Sequence, residues 1–225
     1  MSISYRARFD RTELLLPQIL EKLEGLIGDL GIRFQNRVFR LVEHQGGPTI
    51  DVSSFEPVRV QGLGEVDRVA ARWWGVGLQC SSLPLQKRLG RGDWTEVYFQ
   101  LFRAPDKRWT LRYSELKSAQ RLRLDVEDVA RELYELQLRL CANLGFRLSI
   151  YDEEDDNLPP VATLKDIEHR LERCKRGELG CSVVVASTEM GFKHAQGLVG
   201  VRANLVRLST TGHILFPFLL PDEGA

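Results

Sequence analysis

Two amphipathic patterns open the chain. Between Ile3 and Phe9 apolar and polar residues alternate, and a period of two is typical of a strand with one buried face. From Leu16 to Leu30 the apolar residues recur at helical spacing, which predicts a helix with one buried side. Gly31 is expected to end this helix in a left-handed conformation, which costs glycine little. A strand with interleaved arginines is predicted from Ile32 to Val42.

Two starting points for this helix fit the sequence. Asp10 followed by Glu13 has the spacing of a capping box, in which side-chain oxygens accept the free N–H groups of a first turn. Alternatively the helix begins at Pro17, because proline suits the first turn and lacks an N–H group that would need a partner there.

An aromatic hairpin is predicted in the middle of the chain. Trp94–Phe102 and Trp109–Tyr113 are alternating aromatic runs, and Pro105-Asp106 between them supplies turn residues. The elements predicted before it are an extended piece at Val58–Val60, a helix at Leu63–Trp73 and a strand at Val76–Cys80.

The second half of the chain repeats this order. An amphipathic helix ends at Leu144-Gly145, and a strand follows from Phe146 to Ile150. An acidic loop is predicted at Asp152–Asn157, and a capping-box-like helix start at Thr163. The remaining predicted elements are strands at Cys181–Ser187, Val201–Leu208 and His213–Leu220, with a turn at Thr210-Thr211-Gly212.

The repeated order predicts two diverged copies of one α/β unit. The Leu-Gly corners lie 114 residues apart, and an offset of 101 aligns Val60 with Val161 and Cys80 with Cys181. The fold class is therefore α+β, with two tandem units of ferredoxin-like split βαβ style and added hairpins. Mostly antiparallel or mixed sheets are expected to carry helices on one face. The predicted domains are 1–115 and 116–225, packed into one pseudo-symmetric body.

Composition indicates a protein of the cytoplasm. The 31 basic and 31 acidic residues cancel, so there is no global electrostatic attraction to nucleic acid or anionic membranes. The four cysteines form no C-x-x-C pair and are expected to be reduced, mostly buried thiols. No apolar run is long enough to span a bilayer, and the N-terminus lacks the apolar core of a secretory signal.

Basic and histidine residues give the candidate sites for anions. The candidates for binding a nucleic acid or another anion are Lys87, Arg88, Arg91, Lys193 and His194. Because histidine titrates near neutral pH, His194 and His213 are the candidates for a general acid or base. The two-unit outline is similar to the CRISPR-associated endoribonucleases of tandem ferredoxin-like type, a resemblance that implies RNA processing. The segment 212–216 is apolar, however, whereas that class carries a glycine-rich loop near its C-terminus.

The chain shows no motif of a known catalytic or cofactor site. It has no Walker or Rossmann fingerprint and no nucleophile elbow, and His169, Cys174 and Cys181 fit no standard zinc spacing. The expectation is therefore no catalytic residue, no metal and no cofactor, although catalytic groups can converge only in the folded chain.

The preferred function is a non-enzymatic cytoplasmic protein that binds another protein as an adaptor, assembly factor or immunity-type partner. Hairpin edges, exposed aromatic residues and the acidic loop are expected to form its surface. The candidate partner-binding residues are Trp94, Tyr98, Trp109, Asp152, Glu153, Glu154 and Asp155. The alternatives are a nucleic-acid-binding or RNA-processing protein, and a small-molecule-binding domain in the cleft between the units.

Overall fold

A computed structural model describes residues 5–44, 47–50, 56–83, 96–104, 106–115, 127–153, 169, 172–173, 176, 181–187, 206–209 and 212–215. Three helices and eleven strands lie in these ranges. The helices are α1 (Leu16–Asp29), α2 (Leu63–Ala70) and α3 (Glu127–Leu144). The strands are β1 (Tyr5–Thr12), β2 (Ile32–His44), β3 (Gly47–Ile50), β4 (Val58–Arg59), β5 (Gly75–Ser82), β6 (Glu96–Arg103), β7 (Trp109–Glu115), β8 (Leu148–Glu153), β9 (Cys181–Ser187), β10 (Val206–Ser209) and β11 (Gly212–Leu215).

All eleven strands belong to one antiparallel sheet. Its order is β10-β11-β9-β8-β1-β7-β6-β5-β2-β3, and β4 pairs with β2 beside β3. The first strand, β1, lies near the middle, where it pairs with β7 on one side and with β8 on the other. It therefore joins strands of both predicted units, and the predicted α+β class with antiparallel pairing is confirmed.

The three helices share one hydrophobic core with alternate residues of the central strands. Ala7, Leu78, Phe99 and Tyr113 face this core and lie opposite one another across β1, β5, β6 and β7. Phe99 and Tyr113 have ring centroids 5.1 Å apart. Because side chains alternate across a strand, the residues between them form the opposite face of the sheet.

Both glycine corners adopt the backbone that the sequence predicts. Gly31 has φ 67° and Gly145 has φ 70°, the left-handed region that side chains with a Cβ atom rarely occupy. At the first corner the N–H group of Gly31 donates to the carbonyl of Gly28 at 3.0 Å, and β2 begins at the next residue. At the second, Phe146 packs on Phe9 of β1 with ring centroids 5.2 Å apart.

Two side chains of β1 form hydrogen bonds with the backbone at the second corner. The hydroxyl of Thr12 donates to the carbonyl of Leu144, and the carboxylate of Asp10 accepts the N–H group of Arg147 at 2.9 Å. Thr12 is 1% and Asp10 2% exposed, so both side chains need these bonds, and the bond to Leu144 satisfies a buried backbone carbonyl.

The predicted capping box at Asp10 and Glu13 is wrong, because Asp10 lies within β1. Helix α1 starts near Pro17, as the alternative prediction proposed. The side chain of Gln18 accepts the N–H group of Leu15 at 2.9 Å at this start.

The pairing registers do not confirm a duplication. In the first half β2 pairs with β5, and Phe34 lies opposite Cys80. The offsets of 114 and 101 would place Leu148 opposite Cys181, but Leu148 lies opposite Ala186 and Cys181 opposite Asp152. The next strand also differs, since β5 is followed in the sheet by β6 whereas β9 is followed by β11. The duplication therefore stays a prediction.

The aromatic hairpin lies inside the sheet. Strand β6 is paired with both β5 and β7, and β7 with both β6 and β1. The expectation that this hairpin offers free edges is therefore wrong; the terminal strands in the described sheet are β3, β4 and β10. Among the described residues no helix combines the length and the apolar character that a bilayer span requires.

Replacing the second corner glycine is expected to destabilise the protein. Gly145→Ala should lower the free energy of unfolding by about 1–2 kcal/mol, the cost of a left-handed backbone for an L residue, and its Cβ would lie 3.4 Å from the Thr12 hydroxyl. Gly25→Ala in α1 is the control, because its Cβ meets open space. It should stabilise the protein by up to about 1 kcal/mol. Urea denaturation followed by circular dichroism measures both, and a loss of similar size in both variants would contradict this assignment.

The buried thiol of Cys80 should make the stability depend on alkaline pH. Burial raises the pKa of Cys80 from 9.0 to about 12. The unfolded chain therefore loses this proton first, and the stability falls as the pH rises from 9.0 toward 12, by at most about 1.4 kcal/mol per pH unit. Cys80→Ala should be less stable at pH 8 but have a shallower alkaline decline. Parallel slopes for the two proteins, measured by urea denaturation at several pH values, would contradict the prediction.

Candidate binding face

The face of the sheet opposite the helices carries most of the buried polar side chains of the central strands. One row across it contains Arg8, Arg112 and Gln100, which lie opposite one another on β1, β7 and β6. The guanidinium Nε–H of Arg112 donates to Oε1 of Gln100. All three side chains are less than 9% exposed. We call this face of the sheet the polar face.

A second row on the polar face is organised by Glu96. Its carboxylate accepts one hydrogen bond from Nε2 of Gln79 at 2.9 Å and another from the hydroxyl of Tyr98 at 2.8 Å. Desolvation and the neighbouring Glu96 carboxylate raise the pKa of the Tyr98 phenol well above 10.0. The phenol is therefore a fixed hydrogen-bond donor at neutral pH. Among the described residues the buried Oε1 atom of Gln79 has no hydrogen-bond partner, so the Gln79 side chain depends there on its bond to Glu96.

Three exposed arginines continue this face at the β2–β4 border. Arg37 lies opposite Gln79 on one side and opposite Arg59 on the other, and Arg33 lies opposite Ser81. All three are exposed. Within the described ranges none of them forms an ion pair or a side-chain hydrogen bond. We call Arg33, Arg37 and Arg59 the arginine rim.

A bulge in β2 brings the rim together. The register shifts between Phe34 and Arg37, so that Arg33 and Arg37 face residues only two apart on β5. Two residues of a strand span about 7 Å, whereas four would span about 13 Å. Asn36 in the bulge has φ 56°, which asparagine tolerates better than most residues, and its carbonyl accepts the N–H group of Val60 at 3.0 Å. Gln35 donates from Nε2 to the hydroxyl of Ser81 at 2.7 Å.

Aromatic rings flank the rim on the same face. Phe39 and Tyr98 are half-buried, with ring centroids 6.3 Å apart. Phe39 follows Arg37 by two residues on β2, which places both on the polar face. The accessible part of this face thus combines unpaired guanidinium groups with aromatic surface, the two residue classes that most often dominate the energy of protein interfaces.

The predictions for Trp109, Asp152 and Glu153 are wrong. Trp109 was expected to be an exposed partner-binding residue, and Asp152 and Glu153 were expected to lie in a loop. Trp109 is 4% exposed and belongs to the hydrophobic core, because it faces the helices from the start of β7. Asp152 and Glu153 lie in β8, where both pair with β1, so they do not belong to a loop as predicted. Tyr98 is half-buried, and its hydroxyl is bonded to Glu96.

Several other candidates lie outside the described residues. They are Lys87, Arg88, Arg91, Trp94, Glu154, Asp155, Lys193 and His194. His213 is in β11, opposite Ala186 and Leu208. Cys80 and Cys141 are free and buried, as predicted. No group of three His, Cys, Asp or Glu side chains in the described part of the chain is placed to hold a metal ion.

The structure also has a groove where the cleft between the units was predicted. It lies between α1 and α3, with a volume of about 640 Å³. Its charged lining is balanced, with Glu21 and Asp29 against Lys22 and Arg139. Nothing in this lining selects a ligand of one charge, so a small-molecule site there stays a prediction.

Comparison with known proteins gives no family. No family model and no curated protein matches the chain. One solved structure that aligns with it is Pseudomonas aeruginosa T6SS protein PA0821, with 9% sequence identity and a TM-score of 0.46. The alignment covers 95% of this chain and 65% of that chain.

The Glu96 network should be measurable in the stability of two variants. Tyr98→Phe removes one hydrogen bond and should lower the free energy of unfolding by about 1 kcal/mol. Glu96→Ala removes both bonds and leaves the buried amide of Gln79 without any partner, which should cost about 1–3 kcal/mol. Urea denaturation at neutral pH compares them. If Glu96→Ala costs no more than Tyr98→Phe, the network does not depend on Glu96 as described.

Proposed function

We propose that this protein is a non-enzymatic binding protein that recognises an acidic segment of a partner protein through the arginine rim. The observation that carries the proposal is the convergence on one face of the sheet of three exposed arginines that have no ion-pair partner among the described residues. It replaces the expected hairpin-edge surface, because the aromatic hairpin is interior and Trp109 is buried.

The electrostatics of the rim favour an anionic partner. Two unit charges about 7 Å apart in water repel each other by roughly 0.6 kcal/mol. The bulge in β2 brings the backbone positions of Arg33 and Arg37 near this spacing, and Arg59 lies directly opposite Arg37. A carboxylate placed between them removes this repulsion and can bind a guanidinium group through two parallel hydrogen bonds. The chain has zero net charge, but the arginine rim concentrates positive charge on one surface. This local excess of positive charge supports binding of an acidic segment.

The chemistry of the polar face supports binding over catalysis. The raised pKa of Tyr98 keeps its phenol protonated, so it cannot serve as a base at neutral pH. Glu96 already accepts two hydrogen bonds, and the buried Arg112 is bonded to Gln100. These groups are suited to holding the rim and its aromatic neighbours in place.

Charge reversal of the rim tests the proposal. The triple variant Arg33→Glu, Arg37→Glu and Arg59→Glu should lose the acidic protein partner, with affinity falling about tenfold to a hundredfold. That range lies within the roughly threefold to 150-fold loss that three exposed ion pairs of about 0.2–1 kcal/mol each would give. The wild type and the variant are immobilised, incubated with nuclease-treated lysate of the source organism, and compared by mass spectrometry. Proteins retained by the wild type and lost from the variant are then measured by calorimetry.

A second triple variant provides the control for charge. Lys22→Glu, Arg72→Glu and Arg139→Glu change the net charge by the same amount at exposed positions away from the rim. This control should retain the partner. The proposal is overturned if the rim variant keeps every protein that the wild type retains, or if the control loses the same proteins.

A nucleic-acid-binding function is the second candidate. The specific observation in its favour is that Tyr98 and Phe39 lie beside the rim on the polar face. Unstacked bases can stack on aromatic rings of a sheet while arginines contact the phosphates.

Salt titration separates the two candidates. If three rim arginines contact phosphates, the affinity for a fluorescent single-stranded RNA should fall with salt at a log–log slope of about −2. Tyr98→Ala should weaken this binding further through lost stacking. Fluorescence anisotropy that detects no RNA or DNA binding at low salt eliminates this candidate and leaves the acidic-protein proposal intact.

The tandem duplication and the cytoplasmic location remain proposals. Similar helix–glycine–strand corners at Gly31 and Gly145 support the duplication. The free, buried thiols of Cys80 and Cys141 support a reducing compartment, in which cysteines of this kind stay unpaired.

A further inference from the structure

A small cleft lies at the tip of the β6–β7 hairpin, on the helix side of the sheet beside the start of α1. Its volume is about 280 Å³, which corresponds to roughly nine waters at ~30 Å³ each and therefore to a small ligand group. One wall is the chain that enters α1, including Leu15 and Pro17, and the opposite wall is the hairpin tip with Arg103, Lys107 and Trp109. We call it the tip cleft.

Ion pairs join the hairpin tip to the β1–α1 connection, and they do not include the two cationic side chains Arg103 and Lys107. Arg108 binds both Asp106 and Glu13, and Arg11 binds Asp106, so these four side chains join the hairpin tip to the β1–α1 connection. Arg103 and Lys107 also line the cleft. Within the described residues neither side chain has an ion pair or a hydrogen bond. The cleft therefore has a rigid frame with two unpaired cations.

Arg103 is oriented by an aromatic ring. Its guanidinium carbon lies over the ring of Trp109, 4.9 Å from the centroid, and Trp109 is fixed because it is buried in the core. A cation–π contact of this kind uses the charge of the guanidinium group and none of its N–H donors. Arg103 is half-buried and held beside a fixed ring, and its N–H donors can bind a planar acceptor such as a carboxylate.

The other wall is apolar. Leu15 is 66% exposed, the largest exposure among the large hydrophobic side chains in the described ranges. Leu14 and Pro17 lie beside it in the lining. A ligand that covers Leu15 removes apolar surface from water, which is favourable by about 25 cal/mol per Å².

From this arrangement we infer that the tip cleft is a binding site for a carboxylate attached to a short apolar group. The carboxylate binds Arg103 with Lys107 nearby, and the apolar group packs against Leu15 and Pro17. Two sources carry this chemistry, a free small aliphatic acid and the C-terminal carboxylate of a peptide that ends in an apolar residue. Asp67 also lines the cleft, and its negative charge repels an anion. Removal of this charge should therefore strengthen binding, whereas removal of the Arg103 charge should weaken it.

Ligand binding is measured by titration of the ¹⁵N-labelled full chain, with the indole N–H signal of Trp109 as the reporter. The probe is 4-methylpentanoate, and the neutral control is 4-methylpentanamide. The acid should give saturable shifts with a Kd between high micromolar and millimolar, the range open to a ligand of about eight non-hydrogen atoms. The amide should bind at least tenfold more weakly.

Two substitutions give opposite expected effects on the same titration. Arg103→Met should weaken binding of the acid at least tenfold, and Arg103→Lys should be intermediate because it keeps the charge but loses the planar pair of donors. Asp67→Asn should strengthen binding about twofold to fivefold, because it removes the opposing charge. Lys22→Met, in the groove between α1 and α3, is the control and should leave the affinity unchanged.

The two ligand sources are separated with peptides. A pentapeptide that ends in leucine is compared as its free acid and as its C-terminal amide. Tighter binding of the peptide acid than of 4-methylpentanoate assigns the cleft to chain ends, and weaker binding assigns it to small acids. Equal binding of acids and amides, or weaker binding in Asp67→Asn, overturns the inference. Because Asp67→Asn tests the site without altering Arg103, the test remains decisive if Arg103→Met fails to fold.

Discussion

The fold depends on two hydrogen bonds that β1 makes to the end of α3. A helix end leaves carbonyl groups without intrahelical partners, and a buried end needs other donors and acceptors. Thr12 supplies a donor for the carbonyl of Leu144, and Asp10 supplies an acceptor for the N–H group of Arg147. With these bonds, the chain can leave α3 through a left-handed glycine and enter β8 beside β1. Both halves of the sheet are therefore positioned by their pairing with β1.

The two faces of the sheet around β1 differ in character. On the helix side apolar side chains form the hydrophobic core, and burial raises the pKa of the Cys80 thiol to about 12. On the polar face the same strands carry a network of arginine, glutamine, tyrosine and glutamate side chains. Buried polar groups are costly unless their bonds are satisfied, so this network fixes the strands that present the arginine rim. The rim is exposed at the border where β2 departs from regular pairing.

Local features of the fold could be predicted from the sequence. Alternation identified β1, β6 and β7, helical spacing identified α1, and Gly31 and Gly145 marked the left-handed corners. Each of these follows from residues close together in the chain. Helical backbone at His169, Glu172 and Arg173 also agrees with the helix predicted from Thr163.

The errors arose where distant pairing decides the outcome. Asp10 and Glu13 have capping-box spacing, but Asp10 meets the N–H group of Arg147 in the fold. Trp109 is buried because its strand alternation faces the helices, which an aromatic hairpin alone does not reveal. Two arginines of the rim, Arg33 and Arg37, were visible in the strand predicted after Gly31, and Arg59 in the extended piece Val58–Val60. Their convergence depends on a bulge in β2, and the register of this bulge is defined only by the pairing of β2 with β5.

The central place of β1 has a consequence for how the chain is made. Strand β1 leaves the ribosome well before its partners β7 and β8, and β8 follows only after α3. Until both partners have been synthesised, the apolar side of β1, represented by Ala7 and Phe9, lacks part of its core. Such long-range pairing slows folding and exposes incomplete chains to aggregation. An incomplete chain without β8 therefore leaves one edge of its central strand without the partner that it has in the fold.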